Sequence, residues 1–122
     1  MFTLVVLYKN ETFDYSGLFL FYSDQLLTDK WKSHPRNPVV SDHKFSRPAG
    51  NLFMSDDKIF RPSQDCSGEY GRAININLVT KLNETEYEEV LLSRIEPEPD
   101  SLYSGAHTYN SSNEAEVIDA FM

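Results

Sequence analysis

Apolar positions in this chain occur in short continuous runs and in strict alternation, and both patterns predict strands. Leu4 to Tyr8 and Leu18 to Tyr22 are apolar throughout, which suits strands covered on both faces. The connection Lys9 to Gly17 is rich in turn formers. Leu52-Phe53-Met54 and Lys58-Ile59-Phe60-Arg61 flank Ser55-Asp56-Asp57, which reads as a tight polar hairpin loop. From Ala73 to Val79 the chain alternates, with Ile74, Ile76 and Leu78 on one face and Asn75 and Asn77 on the other. Tyr87 to Ile95 predicts another strand, ended by Glu96-Pro97-Glu98-Pro99-Asp100. Closing strands are predicted near Gly105 to Tyr109 and Ala115 to Ala120, across Asn110-Ser111-Ser112-Asn113. Helical signals are confined to a short turn within Gln25 to Lys32 and to Asn83 with Glu86, which mimics a capping box. The expectation is an all-β, antiparallel fold of about seven or eight strands.

A strand hairpin, a polar loop, a second hairpin and a proline-marked crossover recur along the chain. With strands of about 5–6 residues and loops of about 4–6, a four-stranded unit takes about 40 residues. The 122 residues therefore hold about two to three such units, whereas closed propellers have about 4–8. Residues 1–122 are expected to form a single partial β-propeller domain, with blade boundaries roughly near 45 and 100.

Composition narrows the class of partner. With 40% hydrophobic and 25% charged residues the chain is globular rather than disordered. A net charge of −8 argues against nucleic acid and anionic membranes, because phosphate contacts need clustered Lys and Arg. Cys66 is the only cysteine, which excludes an internal disulfide and reads as a small half-buried residue. The apolar start from Met1 lacks a basic flank and a small-residue cleavage site, so it reads as a buried strand rather than a signal peptide or span. Cytoplasmic localisation follows only if Met1 is the true start. Three sequons, at Asn10, Asn83 and Asn110, then read as chance.

The densest polar segment is Arg61-Pro62-Ser63-Gln64-Asp65-Cys66-Ser67-Gly68-Glu69-Tyr70-Gly71-Arg72, between two strand-like runs. Asp65 has three readings: bond to a sugar hydroxyl, acceptor for Arg47 or Arg61, or turn-closing carboxylate. Arg47, before Pro48-Ala49-Gly50, can aim a planar fork at a carboxylate, a phosphate or sugar hydroxyls. Gln64 offers both donor and acceptor, for a hydroxyl or for a neighbouring strand. The acidic runs Glu84 to Glu89 and Glu96 to Asp100 read as solvated faces, and Tyr70, Tyr103, Tyr109 and Trp31 as packing rather than sugar stacking. His34, His43 and His107 lie far apart without metal-ligand spacing, and no phosphate-cradling loop or nucleophile elbow is present. No catalytic residue, metal or cofactor is assigned.

An ordered set of segments carries a resemblance. It comprises Leu20-Phe21-Tyr22-Ser23, Trp31-Lys32-Ser33-His34-Pro35-Arg36-Asn37-Pro38, Arg47-Pro48-Ala49-Gly50, Arg61 with Gln64-Asp65-Cys66, Tyr70-Gly71-Arg72, Leu82, Tyr87 and Glu89, His107-Thr108 and Val117-Ile118-Asp119. Together these resemble the C-terminal part of the five-bladed propeller domain of plant glucosamine inositolphosphorylceramide transferases and related bacterial proteins. That domain is similar to the arabinanase, levansucrase and fructosidase propellers. The resemblance implies about two to three blades of a five-bladed β-propeller, and a histidine lining the axial channel at the place of His107. The catalytic carboxylates of the wider group come from earlier blades, and none carries over to this sequence. The expectation is a truncated, carbohydrate-related propeller contributing part of a glycan-binding site through Arg47, Gln64, Asp65 and His107. Its partner would be a glycan or sugar-bearing small molecule. Two alternatives stand beside it: a non-catalytic module that forms a homo-oligomer, and part of a glycoside hydrolase or transferase completed by the remainder of a propeller.

Overall fold

The computed structural model describes residues 2–8, 17–25, 27–42, 44–65, 73–96, 105–111 and 115–121; it describes no side chains for 2–8, 105–107, 117 and 119–121. Every regular element among them is a strand, and every strand pairing is antiparallel. In chain order these are β1 (Phe2–Tyr8), β2 (Gly17–Ser23), β3 (Lys32–Ser33), β4 (Arg47–Pro48), β5 (Phe53–Ser55), β6 (Lys58–Asp65), β7 (Ala73–Leu82), β8 (Tyr87–Ile95), β9 (Gly105–Ser111) and β10 (Glu116–Phe121). They form three sheets: β1-β2-β3, then β4-β6-β7-β8 with β5 also on β6, then the hairpin β9-β10.

The central sheet follows directly from local chemistry. Asp56 and Asp57 both have positive φ, at 51° and 62°, so the β5–β6 hairpin turns through two left-handed residues, the pair a type I′ turn requires. The β7–β8 hairpin closes at Asn83. Its Oδ1 accepts from the backbone N–H groups of Thr85 at 2.9 Å and Glu86 at 2.8 Å, while its own N–H donates to Glu86 O at 3.1 Å. The residues that mimic a helix cap therefore cap a turn, because Asn serves either role by bonding backbone amides two or three residues on. Residues 25 and 27–32 likewise form bends and a short strand, with no helix.

Strand β2 is completed by a side chain. Past β3, Asn37 Nδ2 donates to Leu20 O and Asn37 Oδ1 accepts from Leu20 N–H, both at 2.8 Å, as a strand backbone would. Val39 N–H then donates to Leu18 O, and Leu18 N–H to Val40 O, both at 2.8 Å.

Period-two alternation and the register of β6, β7 and β8 give the central sheet two chemically distinct faces. One carries Phe60, Pro62, Gln64, Ile74, Ile76 and Leu78. The apolar core lies there, with Ile74, Ile76, Ala49 and Tyr109 buried and Phe53, Phe60 and Ile95 packed against them. Phe53 stacks on Phe60 with ring centroids 5.2 Å apart. Each fully buried isoleucine contributes about 1.5–3 kcal/mol. The other face carries Arg61, Ser63, Asp65, Asn75 and Asn77, all buried.

The β3–β4 connection and strand β9 lie on these two faces. The stretch between β3 and β4 reaches the polar face, where Lys44 O accepts from Asn75 Nδ2 at 2.6 Å and Phe45 O from Arg61 Nη2 at 2.5 Å. Strand β9 lies against β6 and β7 on the apolar side. Ala49 ties the pieces together: its N–H donates to Pro62 O at 3.1 Å, and its carbonyl accepts from Tyr109 N–H at 2.7 Å. Two residues after Ala49, Asn51 N–H donates to Asn110 Oδ1 at 3.1 Å, so the 49–51 stretch and β9 run side by side in the same direction. Gly50 permits this approach. It has φ +142°, and a Cβ there would run into the carbonyl of Tyr109.

Candidate functional site

Arg47 and Gln64 are register partners across β4 and β6, so their side chains leave the same face of the sheet. Arg47 is half-buried and Gln64 is only 3% exposed. His107 lies on β9, two residues before Tyr109, as Arg47 lies two residues before Ala49; the parallel approach of these stretches puts both near one end of the central sheet. Tyr109 pairs with Ile118 and Thr108 with Asp119, but Ala120 pairs with Ala106, which makes His107 the extra residue of a β-bulge. The side chain of His107 lies outside the described residues, as do Cys66, Tyr70-Gly71-Arg72, His43, Tyr103 and the segment from Pro97 to Asp100.

Asp65 does not join this group on the same face. It follows Gln64 in one strand and so points to the opposite side of the sheet. There, 1% exposed, its Oδ2 accepts from Arg94 Nη1 at 2.7 Å, and the same Nη1 lies 3.3 Å from Asn75 Oδ1. Arg94 Nε donates onward to Glu96 at 3.2 Å. Burial draws the Arg94 guanidinium down, but the bonds and charges of Asp65 and Glu96 outweigh it and hold the group above its ordinary value.

A second ion pair lies deeper on the polar face. Arg61, 1% exposed, donates from Nε and Nη2 to the two oxygens of Glu89, each at 2.7 Å, a bidentate fork. The Tyr87 hydroxyl also donates to Glu89. Burial pulls Arg61 down, and Glu89 more than compensates, leaving its affinity for the proton raised. Burial first, and then the charge of Glu89, push the Tyr87 hydroxyl far above the ordinary tyrosine range. Asn77 extends the network by donating from Nδ2 to Arg61 O at 3.0 Å and to Ser63 Oγ at 2.9 Å.

This arrangement revises the reading of two acidic residues. Glu89 is expected on a solvated face, yet its side chain is 11% exposed and clamps Arg61, because the fold brings β8 within reach of a cation 28 positions earlier. Arg61 thus has Glu89 as its partner, and the Asp65 carboxylate is met by Arg94. Arg94 was not singled out by the sequence, Asn75 only as part of a polar strand face, and Glu89 only within the resemblance and as part of an acidic run. The available signal was period two: Arg61, Ser63 and Asp65 share one face, and so do Asn75 and Asn77. Tyr109 is a core residue tilted against Phe53, as its packing reading holds. Among the described residues no three His, Cys, Asp or Glu side chains gather as metal ligands.

Comparison with known proteins adds a family. The profile described as "Glucosamine inositolphosphorylceramide transferase 1, N-terminal" matches residues 7–115. A glucosamine inositolphosphorylceramide transferase 1 of Oryza sativa subsp. japonica is 39% identical over 73 residues, 58% of this chain and 10% of that protein. The Arabidopsis thaliana protein of the same name is 34% identical over 62 residues, 49% of this chain and 8% of its own length. The matched segment thus spans a tenth or less of these relatives. No solved structure matches the chain.

Proposed function

The chain belongs to the glucosamine inositolphosphorylceramide transferase 1, N-terminal, family, and on that premise we propose that it is part of a glycosyltransferase-associated β-propeller that binds a glycan. In this reading the central sheet is one four-stranded blade: the broken inner strand β4–β5, then β6, β7 and β8. The three-stranded sheet before it and the β9–β10 hairpin after it are parts of the flanking blades. Support comes from the side-by-side, same-direction run of residues 49–51 and β9, since inner strands of successive blades run parallel around a propeller axis. The chain would form the C-terminal part of that propeller.

The glycan site lies at the axial end of the inner strands. Arg47, Gln64 and His107 supply contacts there, and the more deeply buried Asp65 positions the cations around them. The ligand class follows the relatives' name: a glucosamine-bearing or inositol-phosphate headgroup, which an arginine fork suits. In this reading the chain contributes binding contacts rather than a full catalytic set. The observation that carries the reading is the Arg47–Gln64 register pair beside the His107 strand. Titrating the chain with glucosamine and with inositol phosphate by NMR tests it. Arg47→Ala should weaken binding by about ten- to a hundredfold and Gln64→Ala by about two- to tenfold, as expected for a charged and a neutral hydrogen bond. Unchanged binding in both variants would sink the proposal.

One observation favours a second reading, a module that self-associates. Edge strand β8 exposes Val90, Leu91 and Leu92 in succession, and exposed apolar edges invite pairing. Sedimentation velocity of the chain and of Leu91→Lys separates the two readings, since only a self-associating module loses mass in the variant.

A further inference from the structure

The β7–β8 turn contains Asn83-Glu84-Thr85, a tripeptide that its sequence alone leaves as a chance match. We propose that Asn83 is an acceptor for an N-linked oligosaccharide. Asn83 and Thr85 are both exposed, at the tip of a hairpin between paired residues Leu82 and Tyr87. Thr85 is folded back on the asparagine: its N–H and its hydroxyl both donate to Asn83 Oδ1, at 2.9 and 3.1 Å, and Glu86 N–H adds a third bond at 2.8 Å. All three bonds fall on the oxygen. The amide nitrogen Nδ2, the atom that is glycosylated, has no partner among the described residues and belongs to an exposed side chain. Donors on Oδ1 draw charge from the amide group and ease loss of an Nδ2 proton.

The turn is also anchored from below. Buried His34 accepts from Arg36 N–H at Nδ1, so its Nε2 carries the proton and donates to Asn83 O at 2.9 Å. The acceptor is therefore presented on a fixed backbone. The other two tripeptides differ. Asn10 lies outside the described residues, and Asn110 sits within β9, where its Oδ1 accepts from Asn51 N–H.

The donor class is an oligosaccharide carried on a lipid pyrophosphate. Nδ2 loses one proton and bonds to the anomeric carbon, and the bond from that carbon to the pyrophosphate oxygen breaks. The lipid pyrophosphate leaves with the electron pair. The tip of the hairpin is at the opposite end of β7 from Ala73, about 30 Å away for a ten-residue strand. A glycan at Asn83 thus projects away from the Arg47 and Gln64 end of the sheet.

The test expresses the whole chain behind a secretory signal in eukaryotic cells and maps it, both secreted and cell-retained, by glycosidase treatment in heavy-oxygen water. The expected result is heavy-oxygen deamidation at position 83. Asn83→Gln and Thr85→Ala should each remove one glycan-sized mass shift, and Thr85→Ser should keep it at reduced occupancy. Circular dichroism of Asn83→Gln should match the parent. An unmodified Asn83 in both pools overturns the proposal, as does a mass shift that survives Asn83→Gln and Thr85→Ala at full size.

Discussion

Replacing Glu89 with alanine leaves the Arg61 guanidinium without its carboxylate in a position where 1% of the residue reaches solvent. Two charge-assisted bonds of 2.7 Å disappear, and the Tyr87 hydroxyl loses its acceptor. The Phe45 carbonyl still receives the guanidinium and the Tyr87 hydroxyl lies beside it, but neither carries a full charge to replace the carboxylate, and Arg61 Nη1 already has no partner among the described residues. Removing one member of a buried pair costs about 3–5 kcal/mol, because the survivor remains desolvated and unpaired. Against a total stability of about 5–15 kcal/mol for a typical domain, that loss moves the unfolding midpoint far toward low denaturant. The paired replacement Arg61→Met with Glu89→Leu behaves differently. It removes both desolvation penalties and the orphan Nη1 donor, so it should be near neutral, or more stable by up to about 4 kcal/mol. Urea titrations of the parent, Arg61→Met, Glu89→Leu and their double, followed by Trp31 fluorescence and circular dichroism, close a double-mutant cycle, with Glu89→Ala measured beside it. The singles should not add. A double variant destabilised by the sum of the two singles would refute the reasoning, and so would a cost below about 1 kcal/mol for Glu89→Ala, the range of an exposed pair.

The inner-strand junction offers a steric test: Gly50→Ala should cost at least about 1–3 kcal/mol from the φ of the site alone, with β9 displaced by the clash at Tyr109 O, read as lost amide protection at Tyr109. At the type I′ turn, Asp57→Gly should raise stability by up to about 1 kcal/mol, since a left-handed L-residue costs about 1–2 kcal/mol and glycine returns part of that as entropy, checked by the urea midpoint. Alkaline pH tests Tyr87. Its folded value lies above the unfolded value of about 10, so the unfolded chain releases this proton first. The contribution is complete below pH 10 and is lost as pH rises toward the folded value. Absorbance at 295 nm should show one ionisation missing from the alkaline end in Tyr87→Phe.

Much of the architecture was legible because strands announce themselves locally. The alternation of Ile74, Ile76 and Leu78 against Asn75 and Asn77 identifies β7 and its two faces without any neighbour, and Ser55-Asp56-Asp57 marks the β5–β6 turn by its chemistry. Asn83 shows the limit of such signals, since one side chain serves a helix cap and a hairpin turn equally well. Of the candidate site, only the relative placement of its residues can be compared with the sequence. Arg47 and Gln64 do share a register pair, and alternation within β6 already implies that Gln64 and Asp65 diverge.

What the sequence determined by itself is therefore the strand class, the turns and the side of each strand on which a residue falls, all properties of bonds within a few residues. Only the tertiary structure decided which charges meet. Glu89 reaches Arg61 and Arg94 reaches Asp65 across 28 and 29 positions, through a register that includes a bulge between Ile76 and Asn77. A shift of one residue in the pairing of β8 would send Glu89 and Arg94 to the other face. Pairing at that range depends on closing the whole sheet, and no local pattern encodes it.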